Sequence, residues 1–242
     1  MRITRDHWKR SLILDQTKYA SKVVKHFGQE NCKETSVPLP TGYIPRPNEG
    51  KENSFVHSHY QLIIGSLLYI MLGIRSDITY AVIKMSQYSS NPSEEHLQKV
   101  IQIVCYLSHS QSLCIKYSTS GTESGLIAYS DTDWTEDVET SHSTTGYAMF
   151  LANEIVSWLS RQQKHVRLSS TEAEYCEMTK CAKQIQWIRN LFGEIHIPLG
   201  WRSDVPCLQS STRRSHKTCS HPSALYFQSS GTWWSRTFLC YH

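Results

Sequence analysis

The hydrophobic period of this chain changes near residue 112, and that change limits what it can fold into. Before it, apolar residues recur at helical spacing; after it they alternate. Leu97, Val100, Ile101, Val104 and Leu107 form one stripe of a helix expected over 93–109, which follows Pro92 with Ser93, Glu94 and Glu95 in its first turn. Beyond 112, LCIKYS, LIAYSD, TGYAMFL, EIVSWLS and HVRLS alternate as five short strands, separated by polar and glycine-containing pieces. A helix is then expected over 171–193, with Tyr175, Met178, Ala182, Ile185, Ile188 and Phe192 on one face. Strands followed by a long helix predict an α+β layer, one mixed sheet with the helix packed across it.

Upstream of the change the pattern predicts a helical module. RITRD and SLILDQ read as a short hairpin, and TKYASKVVKHFG at 17–28 places Tyr19, Val23, Val24 and Phe27 on one helical face, closed by Gly28. Residues 36–56, with four prolines, read as a linker or extended loop. Helices are expected over 57–73 and 76–89, the second with Ser76-Asp77 as its N-cap pair. The apolar run at 62–74 is too short for a membrane span, which needs about twenty residues, and reads as a buried core helix with no membrane partner. His57, His59 and His96 read as surface or capping residues rather than ligands.

Charge and cysteine use narrow the function classes. The net charge is +4, and residues 201–242 carry all of it: Arg202, Arg213, Arg214, Lys217 and Arg236 against Asp204. The body therefore lacks the basic excess of an autonomous nucleic-acid binder. Eight cysteines show no CxxC pair and no zinc-finger spacing. Cys176 and Cys181 fall inside a helical pattern and read as core thiols. Met1–Arg5 show no signal peptide, so an intracellular, reducing setting is expected.

Two strings carry the chemistry. YSDTDW at 129–134 puts Asp131 toward the end of an apolar strand, and LSSTEAEY at 168–175 puts Glu174 one turn into the long helix. Carboxylates brought together at a strand end and a helix start make a hard-oxygen site suited to Mg²⁺, and a pair of such ions serves phosphodiester hydrolysis. The same residues fit a plainer role. Thr171-x-x-Glu174 and Ser169-x-x-Glu172 are both capping-box patterns, and Asp131, Asp133 and Asp137 fit as loop acids.

Taken in order and spacing, YSDTDW, STTGY at 143–147, IVSWLSRQQK at 155–164 and LSSTEAEY resemble the ribonuclease H domain of copia-type long-terminal-repeat retrotransposon Pol polyproteins. LILDQTKYASKVVKHFG, IGSLLYIMLGIRSDITYAV at 64–82 and NPSEEHLQKVIQIVCYL at 91–107 resemble the end of the reverse transcriptase and its connection to that domain. The resemblance covers roughly residues 1–197. It implies a helical connection module over 1–110, a ribonuclease H-like domain over 111–204 and an aberrant tail over 205–242. It also implies a metal-binding and catalytic set of Asp131, Glu174 and Asp204, with Glu172 the rival of Glu174. Two Mg²⁺ ions would serve as cofactor, and an RNA–DNA hybrid and the upstream polymerase domain as partners. Lys164 and Arg161, in the loop expected before the last strand, are candidates for phosphate contact or simply solvated loop residues. The polymerase's own YxDD turn would lie upstream of Met1, so no polymerase activity is expected. In an intact element these steps run in a cytoplasmic virus-like particle or the nucleus.

The departures from the family pattern fall at the end. No Asn-Gln follows Asp204, and the later Lys-His-Ile-Asp that brings a fourth acid is missing. Periodicity is lost after Asp204. Thr-Trp-Trp-Ser-Arg-Thr-Phe at 232–238 can be encoded so that another frame reads LVEQDF, the amphipathic pattern expected there. A frameshift near Asp204, in a fragment of a decayed element with impaired catalysis, is the expectation.

Overall fold

The computed structural model describes residues 1–50, 53–118, 126–133, 144–151, 154–163 and 170–196; at 131–133 and 170–177 it describes the backbone alone. The expected hairpin forms as β1 (Arg2–Asp6) and β2 (Ser11–Asp15), paired antiparallel with Arg2 opposite Asp15. Asp15 then starts α1 (Thr17–His26), its carboxylate accepting from the Thr17 backbone N–H at 2.6 Å and from the Arg2 guanidinium at 2.7 Å. The helix ends where Gly28 takes a left-handed φ of 65°, a conformation that costs glycine little.

The helical module matches its pattern with shifted ends. α2 (Ser54–Gly73) starts three residues earlier than the apolar period alone indicates. Asn53 caps it, its side-chain oxygen accepting from Phe55 N at 3.1 Å and Val56 N at 3.5 Å. α2 is long and apolar enough to cross a membrane by length and composition. Its Tyr60, Ile63, Leu67 and Ile70 nevertheless form the centre of the protein core, and the Tyr60 hydroxyl donates to Met85 O at 2.6 Å.

The helix expected over 76–89 is divided into a 3-10 turn at Ser76–Ile78 and α3 (Thr79–Ser86). Ser76-Asp77 is not a cap there. The Asp77 carboxylate is buried and takes both prongs of the Arg75 guanidinium, at 2.8 and 2.7 Å. α4 (Glu94–His109) begins with a reciprocal cap in which His96 replaces the usual Glu or Gln. Ser93 N donates to His96 Nδ1 at 3.1 Å, and His96 N donates to Ser93 Oγ at 3.2 Å.

The proline-rich stretch is not a free linker. Asn48 and Asn91 exchange amide hydrogen bonds of 3.0–3.2 Å, and the Tyr88 hydroxyl donates to Pro45 O at 3.0 Å. These bonds hold the segment against the α3–α4 connection.

The main correction concerns the sheet. The described strands form two antiparallel sheets of three, not one mixed sheet. LCIKYS supplies β3 (Ile115–Ser118), which pairs with β2 and closes the N-terminal sheet in the order β1-β2-β3. β4 (Leu126–Asp133), β5 (Thr144–Leu151) and β6 (Glu154–Gln162) form the second sheet in sequence order, with a register shift at Met149/Phe150. HVRLS at 165–169 lies outside the described residues.

α5 (Ser170–Glu194) runs against β4 and β5, where Leu126, Ala128 and Met149 meet Cys181, Ile185 and Ile188. Cys181 is a core thiol as expected; Ala182, assigned to the same face, is exposed. A separate apolar cluster covers other residues of the second sheet. Ala148 and Ile155, with Phe150 and Trp158 beside them, meet Ile74 at the end of α2, Ile115 of β3, Leu14 and Tyr117. The Tyr117 hydroxyl donates to Ile155 O at 2.8 Å across this joint. The second sheet thus has α5 against one cluster and the upstream module against another.

Candidate functional site

Asp131 is the sixth residue of β4, which begins at Leu126 and ends two residues later at Asp133. Its register partner is Gly146 of β5, so the neighbouring position across the ladder carries no side chain. Strand β4 pairs with β5 continuously from Leu126↔Leu151 to Asp133↔Thr144. Ser130, the residue before Asp131, is buried.

Glu172 and Glu174 are the third and fifth residues of α5, and α5 is packed on β4. The packing clusters Cys181, Ile185 and Ile188 with Leu126 and Ala128. The two strings that carry the acids therefore lie on adjoining elements, one a strand near its end and the other a helix near its start. The placement suits a divalent cation in donor chemistry, since carboxylate oxygens are the hard ligands Mg²⁺ takes. The side chains of Asp131, Glu172 and Glu174 lie outside the description, as do Asp204 and Lys164 altogether. Arg161, on β6, is exposed.

Among the described residues no three of His, Cys, Asp and Glu gather as a metal-binding group. His57, His59 and His96 accordingly form no ligand set. His96 is almost fully buried and caps α4, and burial holds its imidazole below the usual pKa. His59 lies between Phe27 and Phe55, with ring centroids 5.6 and 6.1 Å away.

Among the described residues a group of buried polar side chains lies elsewhere and was not read from the sequence. Arg75 and Asp77, each 3% exposed, are joined by the Tyr106 hydroxyl, which donates to Asp77 Oδ2 at 3.0 Å. Arg75 also donates to Ser110 O at 2.9 Å and Ser110 Oγ at 2.7 Å. Burial alone would favour loss of the Arg75 proton; the facing Asp77 charge outweighs it and holds the guanidinium's pKa above its ordinary value. The network ties α4 to the α2–α3 turn. The only sequence signal for it is an Arg and an Asp two residues apart in an otherwise apolar stretch.

With this geometry in hand, comparison with known proteins identifies the family. The chain is 34% identical over 202 residues to the Retrovirus-related Pol polyprotein from transposon TNT 1-94 of Nicotiana tabacum, a match covering 81% of this chain and 15% of that protein. It is 41% identical over 168 residues to the Retrovirus-related Pol polyprotein from transposon RE1 of Arabidopsis thaliana, covering 68% of this chain and 11% of that one. An uncharacterized mitochondrial protein of Arabidopsis thaliana is 31% identical over 176 residues, with 73% of this chain and 72% of its own length covered. The chain belongs to the Pol polyproteins of copia-type transposons. It spans only 15% and 11% of the length of the two Pol relatives just described. No family model matches it, and no solved structure does.

Proposed function

We propose that residues 126–196 are the ribonuclease H-like part of this Pol segment, ancestrally cleaving the RNA strand of RNA–DNA hybrids. The single observation that carries the reading is the placement of the two acidic strings, with α5, which bears Glu174, packed on β4, which bears Asp131. The order of three antiparallel strands followed by a long helix supports it. Asp131 and Glu174, with Asp204 as a third ligand, would hold Mg²⁺. When bound, the ions would supply an activated water and stabilise the leaving 3′ oxygen.

A hybrid is recognised by minor-groove shape and 2′-hydroxyls, which need no strongly basic body. The upstream module serves the same enzyme as a connection to the polymerase domain. The exposed face of α2 supports that partner: Phe55, Leu62, Tyr69 and Leu72 are all solvent-facing on a helix with no Asp, Glu, Lys or Arg from 54 to 73. The setting proposed for this chemistry is intracellular, in a virus-like particle or the nucleus. Lacking the Asn-Gln after Asp204 and the fourth acid, the chain itself is impaired in catalysis.

Purified chain incubated with Mg²⁺ and a hybrid labelled on its RNA strand tests the proposal. The expected result is weak, salt-sensitive hybrid binding and little or no cleavage, with any residual cleavage confined to the RNA strand and lost in Asp131→Asn. Robust cleavage abolished by Asp131→Asn would overturn the impairment while supporting the nuclease. Cleavage that persists unchanged in Asp131→Asn and Glu174→Gln would overturn the site. A second reading, a non-catalytic relic whose helical module still docks a polymerase domain, is favoured by the exposed α2 face. It gives no cleavage under any divalent cation.

A further inference from the structure

Upstream of the tail, positive charge is gathered at the start of the chain. Residues 1–28 carry seven Lys and Arg against Asp6 and Asp15, a net of +5, whereas residues 29–200 carry thirteen Lys and Arg against eighteen Asp and Glu. Both acids of the first segment are engaged locally. Asp15 is buried against Arg2 and Thr17. Asp6 Oδ1 accepts from the backbone N–H groups of Trp8 and Lys9, at 3.0 Å each, and so orders the turn at 7–10 between β1 and β2. Arg5, Lys9, Arg10, Lys18, Lys22 and Lys25 are all exposed, and among the described residues no carboxylate is paired with any of them. The three lysines follow one another at i, i+4 and i+7 on α1, on the face away from the buried Ala20, Val23 and Val24.

Trp8 stands in the ordered turn. Its side chain is 98% exposed, more than any other large apolar side chain among the described residues. An indole so placed adds nothing to the core, and its ring faces are open to a ligand. Cations beside an open aromatic face are what a single nucleic-acid strand needs, since the cations neutralise phosphates while the ring takes a base. A duplex buries its base faces in its own stack, so it offers an indole nothing to lie against except at an end. A lipid surface holds a segment through buried apolar area, and His7, Lys9 and Arg10 around the single indole supply little of it.

We propose that the tip of the β1–β2 hairpin is a binding site for single-stranded nucleic acid, in which the Trp8 indole stacks on an unpaired base and Lys9 and Arg10 hold the flanking phosphates. The lysine row of α1, joined to β2 through Gln16 alone, adds to the attraction for the same polyanion. The site uses neither Asp131 nor Glu174 and needs no metal, so it stands or falls independently of the nuclease reading.

The test titrates the full chain in EDTA with a short fluorescein-labelled oligothymidylate, with a blunt duplex of the same length, and with vesicles of phosphatidylserine and phosphatidylcholine. The single strand should bind more tightly than the duplex and quench tryptophan emission. Trp8→Ala should weaken single-strand binding roughly 5- to 150-fold, the effect of losing one base–aromatic stack, and Trp8→Phe should recover most of it. Because Trp8 is exposed, neither change should move the thermal midpoint, which separates a lost contact from a lost fold. Lys9→Ala combined with Arg10→Gly, where glycine suits the left-handed φ of 44°, should flatten the slope of log affinity against log salt by about 1.4, roughly 0.7 for each phosphate contact. Single-strand binding that is unchanged in Trp8→Ala would overturn the proposal and assign the affinity to other cations, such as those of the basic tail. Absence of single-strand binding, duplex binding as tight or tighter, or binding to the vesicles alone would overturn it as well.

Discussion

Residues 1–118 and residues 126–196 differ in where their most informative polar residues sit in the fold. In the upstream module several buried polar side chains are paired from within, Arg75 by Asp77 and Ser110, Asp77 also by Tyr106, and His96 by Ser93, while Gln16 Oε1, Thr35 Oγ1 and Thr79 Oγ1 are buried without a hydrogen-bond partner. The paired groups hold helices together and carry no recognisable motif. In the downstream unit the residues that match a motif, Asp131 and Glu174, lie at element ends. The described core there is small, with Leu126, Ala128 and Met149 under Cys181, Ile185 and Ile188. The upstream core has four helices to draw on, whereas the downstream sheet has one helix and leans on β3, Leu14 and Ile74 for a second cluster. The motif search found the acids at the element ends and missed the buried network around Arg75.

The largest expected effect breaks the internal pairing upstream. Asp77→Asn keeps the shape of the side chain but leaves the buried Arg75 charge without its partner. It should lose about 3–5 kcal/mol in urea or thermal unfolding, because a buried charge without its counterion is costly. Replacing Arg75 and Asp77 together by apolar residues of similar volume should cost much less. If Asp77→Asn costs no more than the double change, the network is not the tie described.

Next comes the downstream core. Met149 is fully buried under α5, and Met149→Ala should cost about 2–5 kcal/mol through lost transfer energy and the cavity left. The comparison is sharpened by which signals respond. Near-ultraviolet changes from Trp158 should accompany this loss, since Trp158 lies in the joint between the two regions. A loss seen only in α5 helicity would mean that the joint does not couple them.

A smaller effect is pH-dependent. His96 is neutral in the fold, its pKa held below the ordinary value by burial, while in the unfolded chain it titrates near the ordinary 6.5. Protonation therefore favours the unfolded chain. Stability should be full above about pH 6.5 and decline as the pH falls below it. His96→Ala should cost about 0.5–2 kcal/mol at pH 8 through the lost cap and flatten the decline between pH 6.5 and 5. A decline that persists in this variant would assign it to other groups.

The smallest expected effect is at the joint itself. Tyr117→Phe removes the hydroxyl that donates to Ile155 O and should cost about 0.5–1.5 kcal/mol. In a double-mutant cycle with Met149→Ala, any non-additivity measures how far the upstream module stabilises the downstream sheet.

Much of this architecture was legible in the sequence, because hydrophobic period reports which face of an element is covered. α1, α4 and α5 fall within a few residues of their patterns. The partner of a strand is not written in its period. LCIKYS alternates like the strands that follow it, yet it pairs with β2, its register set by Leu14↔Ile115 and Ser11↔Ser118. Likewise Ser76-Asp77 has the composition of a cap, and nothing local says that Arg75 will claim the carboxylate. His96 was legible only as a surface or capping residue, and the fold makes it a buried cap of α4. For the candidate site, residue type and order named Asp131 and Glu174, and the fold added the contact of their two elements and the glycine opposite Asp131.

The central claim, that Asp131 and Glu174 share a divalent-metal site, is tested most directly by iron-directed cleavage of the protein backbone. Fe²⁺ substitutes for Mg²⁺ at oxygen sites, and with ascorbate and peroxide it cuts the chain beside its ligands. The account predicts two paired cuts, one near 131 and one near 174, both suppressed by excess Mg²⁺ and both lost in Asp131→Asn as well as in Glu174→Gln. Cuts confined to one of the two positions, or cuts elsewhere that neither substitution alters, would contradict it.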